Sequence, residues 1–313
     1  MPTDYEVAYD QFVLEGTKGM DNAKNRIAGK KLNVNGYTIT NDLVSATISD
    51  KTGELTSFVF KGEEMLTSPI RLDLFRAPTD NDNRDRFGSK HWYAAGLDSL
   101  TQQVKDIKVT GTGNNRVVET TVDLINSKNV KTGTSSFIYT IKKDGTLHIG
   151  ATYTPDTSVV KSLARVGITF AMPDRFNQVS YLGRGEHETY ADRKQSGRIG
   201  VYETTVPAMY HAYITPQATG NRTDTRWVNL SDEQGRGLYI NSIKPFEFSA
   251  LPYSDRVIDN ATHLNYLVED GTVTVHLDAV QSGVGTATCG PGVQESYRVP
   301  LKTHTFEFTL QPR

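Results

Sequence analysis

The chain has 313 residues, 34 Lys and Arg against 36 Asp and Glu for a formal net charge of −2, and one cysteine, Cys289. Balanced, unclustered charge offers nucleic acid no basic surface, and a single thiol excludes an intrachain disulfide and fits a reducing compartment. No apolar run approaches the ~20 residues that span a bilayer, and the opening "MPTDYEVAYDQFVLEG" lacks the basic n-region of a secretory signal, so the chain reads as soluble and cytoplasmic, with neither nucleic acid nor membrane as partner.

Alternation of apolar and polar side chains dominates. Residues 5–14, "YEVAYDQFVL", alternate with a phase change at Asp10-Gln11, which predicts a bulged or imperfect strand. The polar "TKGMDNAKNRIAGKK" that follows reads as a linker, so residues 1–34 stand apart as an N-terminal strand and linker. Residues 43–60, "LVSATISDKTGELTSFVF", predict a hairpin around Asp50-Lys51-Thr52-Gly53. An apolar, strand-like stretch, Ile70 to Phe75, leads into the polar run from Thr79 to Arg86. A short helix is expected within 90–102. "VVETTVDLI" (117–125) alternates, and 135–155 predicts a second hairpin on the Asp144-Gly145 turn. Further strands are expected in 163–173, 225–243, 272–280 and 303–310, rich in Val, Ile, Thr, Tyr and Phe. Ser254-Asp255 is a cap signal for a second short helix in 255–265. Residues 35–313 are therefore expected to form one all-β unit, a large antiparallel β-sandwich with polar loops at its edges. A chain beyond about 200 residues still fits a single sandwich.

The stretch "RAPTDND" (76–82) poses the main chemical question, because Asp80, Asn81, Asp82 and Asn83 follow one another directly. Such a run is either a self-hydrogen-bonded turn or a cluster set to meet a polar ligand. A calcium loop fails on spacing: from Asp80 it puts Arg84 at the fifth position, and from Asn81 it puts Arg86 where glycine is needed. Glu186 and Glu188, two apart, would face one side of a strand. A glycosidase needs two carboxylates facing each other about 5–9 Å apart, which adjacent residues do not supply alone. The seven histidines are scattered without metal-ligand spacing, so no metal is assigned to this chain. The Gly-rich "GVGTATCGPG" (283–292) holds Cys289, which reads either as packing or as a nucleophile near His211 or His187. No complete catalytic set emerges from the residues alone.

Four segments do match something together. "RAPTDND", "YLGRGEHETYADR" (181–193), "YITPQATGNRTDTRWVNL" (213–230) and "HLDAVQSGVGTATCGPG" (276–292) occur in the order found in the C-terminal sandwich of the large β-galactosidases of glycoside hydrolase family 2, which this chain resembles over about 35–313. The length resembles that of the small subunit of heterodimeric β-galactosidases. The resemblance implies a supersandwich similar to galactose mutarotases. It implies retaining hydrolysis of terminal β-D-galactosides of the lactose type, with the catalytic carboxylates, a divalent metal (Mg) and Na on a large catalytic subunit, and no catalytic residue on this chain. Residues 1–34 would then complete an immunoglobulin-like domain of that partner. Arg76, Asp80, Asn81 and Asp82 would form a pocket-edge or interface loop, and Asp82→Ala would lower activity while leaving the fold intact. Where the family places a sugar-site Trp, this sequence has Cys289 or Gly290, expected to contact substrate. The alternative is a stand-alone aldose 1-epimerase or carbohydrate-binding module, with His211, His187 and Glu186 as the nominated acid and base.

Overall fold

The structure, a computed structural model, describes residues 5–6, 8–12 and 29–313. Six short strands come first: β1 (Asn33–Asn35), β2 (Thr38–Thr40), β3 (Val44–Ile48), β4 (Leu55–Phe60), β5 (Glu63–Glu64) and β6 (Ser68–Asp73). Helices α1 (Asp80–Arg84) and α2 (Ser89–Ala95) lead into a long meander, β7 (Thr101–Thr112), β8 (Asn115–Ile125), β9 (Lys131–Lys142) and β10 (Leu147–Pro155). The second half holds β11 (Arg165–Pro173), β12 (Gln178–Gly185), β13 (Arg198–Thr205), the one-turn α3 (Val206–Met209), β14 (Arg222–Ser231), β15 (Gly237–Leu251), α4 (Asp255–Asn260), β16 (Thr272–Gln281) and β17 (His304–Pro312).

The strand pairings are antiparallel, and β15 is the branch point. One of its edges pairs with β17 through residues 238–241 and then with β16 through 247–251. From β17 the ladder continues through β10, β9 and β8 to β7. From β16 it continues through β11, β6 and β4 to β3, β2 and β1. The other edge of β15 leads through β14 and β12 to β13. The sheet closes on itself as two layers. Tyr139 of β9 donates its hydroxyl to the Gly53 carbonyl in the β3–β4 turn, 3.0 Å away. Gly53 has φ +71°, and a Cβ there would lie 2.8 Å from Val122 of β8, so both the turn and the layer contact require glycine.

Phe58, Phe137, Tyr139, Phe170, Tyr181, Phe248 and Phe308 fill the space between the layers. Each such side chain contributes roughly 1.5–3 kcal/mol by leaving water. Alternation maps onto burial as the pattern demands: β3 is buried at Val44, Ala46 and Ile48 and half-exposed between. β11, paired on both edges, is buried along all but its last residue. The all-β sandwich, both hairpins and both short helices stand where the pattern puts them.

The differences are instructive. β7, β12 and β13 were not expected; β7 and β13 carry polar side chains on mostly exposed faces, which weakens their alternation. Asp80–Arg84 is a helix, not a loop. Thr79 caps it, accepting from the Asp82 N–H at 3.1 Å while the Asp82 carboxylate accepts from the Thr79 N–H at 2.9 Å. Glu186 and Glu188 lie beyond the end of β12 at Gly185, so they do not share a strand face. The strand expected over 5–14 and the linker after it fall partly on residues 7 and 13–28, outside the described residues. The end of the expected linker is instead part of the sandwich, with Leu32 buried and its N–H donated to the Gly113 carbonyl and Asn33 and Val34 paired with β2, so the boundary at residue 34 does not hold. The described part of 5–14 touches β13 and the loop before it through side chains. Tyr9 donates to the Gln195 carbonyl, Gln11 both donates to and accepts from the Ile199 backbone at 2.8 and 2.7 Å, and Arg198 pairs with Glu6.

Candidate functional site

β6 delivers the chain to Arg76, whose side chain is fully buried. Its five N–H donors are all used: two on the Asp82 carboxylate, one on Gln281 Oε1 at 3.1 Å, and two on the carbonyls of Ser282 and Gly283 at 2.7 and 2.9 Å. The rings of Trp92 and Tyr190 cover it at 5.6 and 5.9 Å. One ion pair thereby joins α1 to the segment that leaves β16.

The neighbours of that pair do the same for the loop that follows. The Asn81 amide donates to the Gly285 carbonyl at 2.9 Å and accepts from the Thr288 N–H and hydroxyl at 2.9 and 2.6 Å. Asp192 accepts from the N–H groups of Val284 and Gly285 at 2.9 and 2.7 Å. Asp85 accepts from the Val293 N–H at 2.7 Å and pairs with Arg298 at 3.0 Å. Burial would raise the Asp85 carboxyl, but the N–H groups of Phe87 and Val293 and the Arg298 guanidinium outweigh it and hold it below the ordinary carboxylate range. Asp80 and Gln217 clasp each other, the Asp80 N–H donating to Oε1 and Gln217 Nε2 to the carboxylate, both at 3.2 Å. The polar run is thus a set of backbone-like partners that fix the loop 283–293 and the loop around 217.

Those loops and the segment 190–193 enclose a cavity of about 660 Å³, lined by Asp80, Asn81, Tyr190, Arg193, Tyr213 and Gly285 among others. Its size lies in the range of small-molecule sites. Behind the wall, Glu188 accepts from Tyr213, Arg193, the Thr219 hydroxyl and the Gly220 N–H, the last two at 2.8 Å. Burial would raise its carboxyl; these donors hold it below its usual value. Glu188 therefore orients Tyr213 and Arg193, which face the cavity.

A second polar group lies beneath a separate cavity of about 540 Å³. His276 Nδ1 stands 2.7 Å from Asp73 Oδ2, and its Nε2 3.5 Å from Asp255 Oδ2. Among the described residues, these three form the one grouping with metal-ligand spacing. Arg165 lies 3.3 Å from Asp73 and 3.6 Å from Asp278. Its guanidinium thus already pairs with one of the three candidate donors, Asp73. Burial pushes Asp278 up to about 6 against the pull of Arg165, and pushes the nearby Glu247, bound by the Asn221 amide, up to about 7.

The expected site residues thus divide. Asp80 and Asn81 line the cavity. Arg76 and Asp82 are buried beneath it and touch the loop, not the space. Cys289 and Gly290 sit at the loop tip, each donating its N–H to the Thr286 carbonyl, and neither lines the cavity. Cys289 is exposed, which removes the packing reading of its thiol. The trio nominated for an epimerase does not assemble there: His187 binds Ser196 at the surface, His211 packs on Tyr213, and none of His187, His211 and Glu186 lines the cavity. Glu188, Arg193, Tyr213 and Asp192 were missed as a group. Three of them lie in the quoted "GRGEHETYADR", but the contacts that give them roles come from distant segments.

Residues 40–310 match the family model described as "Beta galactosidase small chain". A β-galactosidase of Priestia megaterium is 31% identical over 98% of this chain and 30% of its own length. One of Vibrio cholerae is 33% identical over 75% of this chain and 23% of its own. The chain thus spans about three-tenths or less of the curated relatives it matches. A solved structure described as an aldose epimerase homologue from C. elegans is similar over 87% of this chain and 96% of its own, with TM-score 0.47 and 10% identity.

Proposed function

This chain belongs to the beta galactosidase small chain family, and we propose that it serves as the small subunit of a heterodimeric β-galactosidase that hydrolyses terminal β-D-galactosides with retention. The observation that carries this reading is the convergence of the four family-like segments, far apart in the chain, on one cavity at one end of the sandwich. The two carboxylates of that wall are otherwise engaged, Asp192 with two N–H groups and Asp80 with Gln217. A large partner chain is therefore assigned the nucleophile, the general acid and the metals, Mg and Na. This chain closes the edge of the pocket and carries the interface, and Cys289 or Gly290, at the loop tip outside the cavity lining, is assigned a contact with the galactoside.

The leading run, residues 5–14, is assigned to an immunoglobulin-like domain of the partner; its described residues meet the β13 region through side chains and not through a ladder, whereas residues 33–34 already belong to β1 of the sandwich. A cytoplasmic setting accords with a single exposed thiol. Among the described residues, no helix is long and apolar enough to cross a membrane. Mixing the purified chain with the large chain and following both co-elution and cleavage of a chromogenic β-galactoside tests the reading. Co-elution with activity supports it, and a chain that neither binds nor activates the large chain refutes it.

A further inference from the structure

β17 pairs with β10 along 304–310, but its other edge meets β15 only at 309–312. β15 turns away from it. Among the described residues, 242–245 have no ladder partner, and from 247 the strand pairs with β16 instead. A wedge of about 680 Å³ opens between the two strands, with Ile138, Ile243, Phe246, Val280, Phe306 and Phe308 in its lining. Ile243 is 87% exposed and Ile138 46%. An unpaired strand edge beside an apolar floor is the geometry that strand addition uses: the edge supplies main-chain hydrogen bonds, and the floor takes alternate side chains. Left bare, the same edge invites aggregation.

We propose that this wedge takes up an extended segment of the large chain as an added strand, an inference that rests on the subunit reading above. Three observations favour that occupant. The match to one relative takes in 98% of this chain but only 30% of the relative's length, so most of such an enzyme lies outside the matched part. Two short stretches of chain connect the wedge to the cavity: Val280 directly precedes Gln281 and Ser282, which bind Arg76, and Pro300 of the wedge lies three residues after Tyr297 of the cavity wall. Two lysines, Lys244 and Lys302, line it against one carboxylate, Glu307. The fitting segment therefore has apolar residues at alternate positions and an acidic flank.

Hydrogen–deuterium exchange on the full chain, alone and mixed with the β-galactosidase large chain, tests this at the amides of 242–246 and 304–308. Exchange there should slow on mixing. Ile243→Asp should weaken the Kd of the mixture by about tenfold, as loss of a central apolar anchor does, while the melting of the isolated chain stays unchanged because Ile243 is 87% exposed there. A complex that forms and turns over with these amides unprotected overturns the strand addition and leaves the subunit reading standing. Failure to form any complex overturns both. Protection that grows with concentration of the isolated chain assigns the wedge to a second copy and overturns the proposal.

Discussion

The Arg76 guanidinium and the Asp82 carboxylate form a two-point ion pair, Nη2 to Oδ1 at 2.7 Å and Nε to Oδ2 at 3.1 Å, with both side chains withdrawn from solvent. The same guanidinium binds the chain as it leaves β16, so the pair is a joint between two loops and not a ligand contact.

Asp82→Ala is therefore expected to melt the chain well below the wild type. Removing one partner of a buried pair costs about 3–5 kcal/mol because the other charge is left uncompensated. This reverses the expectation from sequence, in which the substitution spared the fold. Thermal denaturation of the isolated chain decides it: an unchanged Tm would return Asp82 to a surface role.

What sequence could and could not convey is visible at this joint. Thr79-x-x-Asp82 is a capping-box signature and was legible, but the flanking Pro78 and the Asp-Asn run favoured a turn. The bonds from Asn81 to Thr288, separated by 207 positions, leave no local trace. The strands that bury one face, such as β3 and β9, declared themselves by a period of two. β13 did not, because its burial is shallow throughout. The ordered match of four loop segments carried more functional information than any single residue, and its spatial meaning emerged only when the loops were seen to share one cavity.

Asp192→Ala should leave the sandwich intact and loosen the loop. It frees the N–H groups of Val284 and Gly285, residues that line the cavity, from which water can replace the carboxylate. The expected outcome is a Tm shift corresponding to about 1–2 kcal/mol and a raised KM in the assembled enzyme. Asp192→Asn, with one acceptor oxygen left, should fall between. An unchanged KM in both variants would separate this loop from substrate.

The carboxyl groups predict opposite pH effects. Glu188 is held below its usual 4.5 in the fold, so its contribution is present above that value and lost as pH falls through the folded pKa. Glu188→Gln should flatten the acid limb of a plot of Tm against pH. Glu247 is raised to about 7: the fold keeps a proton that the unfolded chain releases near 4.5, so stability falls as pH rises from 4.5 to 7. Glu247→Gln should raise Tm at pH 8 and change little at pH 4.5. A Glu247→Gln variant that is less stable at pH 8 would contradict the assignment.

Cys289 is exposed at the loop tip. A thiol reagent should modify it readily in the isolated chain and several-fold more slowly in the assembled enzyme, with galactoside slowing it further. Modification at one rate in all three states would place Cys289 outside both the interface and the pocket.

The most direct measurement is turnover of a chromogenic β-galactoside by a fixed amount of large chain as this chain is titrated in. The account predicts no turnover by this chain alone and activity that rises with its addition and saturates at equimolar subunits. Turnover by this chain alone, or full activity of the large chain without it, would contradict the claim that the chain completes an active site whose catalytic carboxylates lie on its partner.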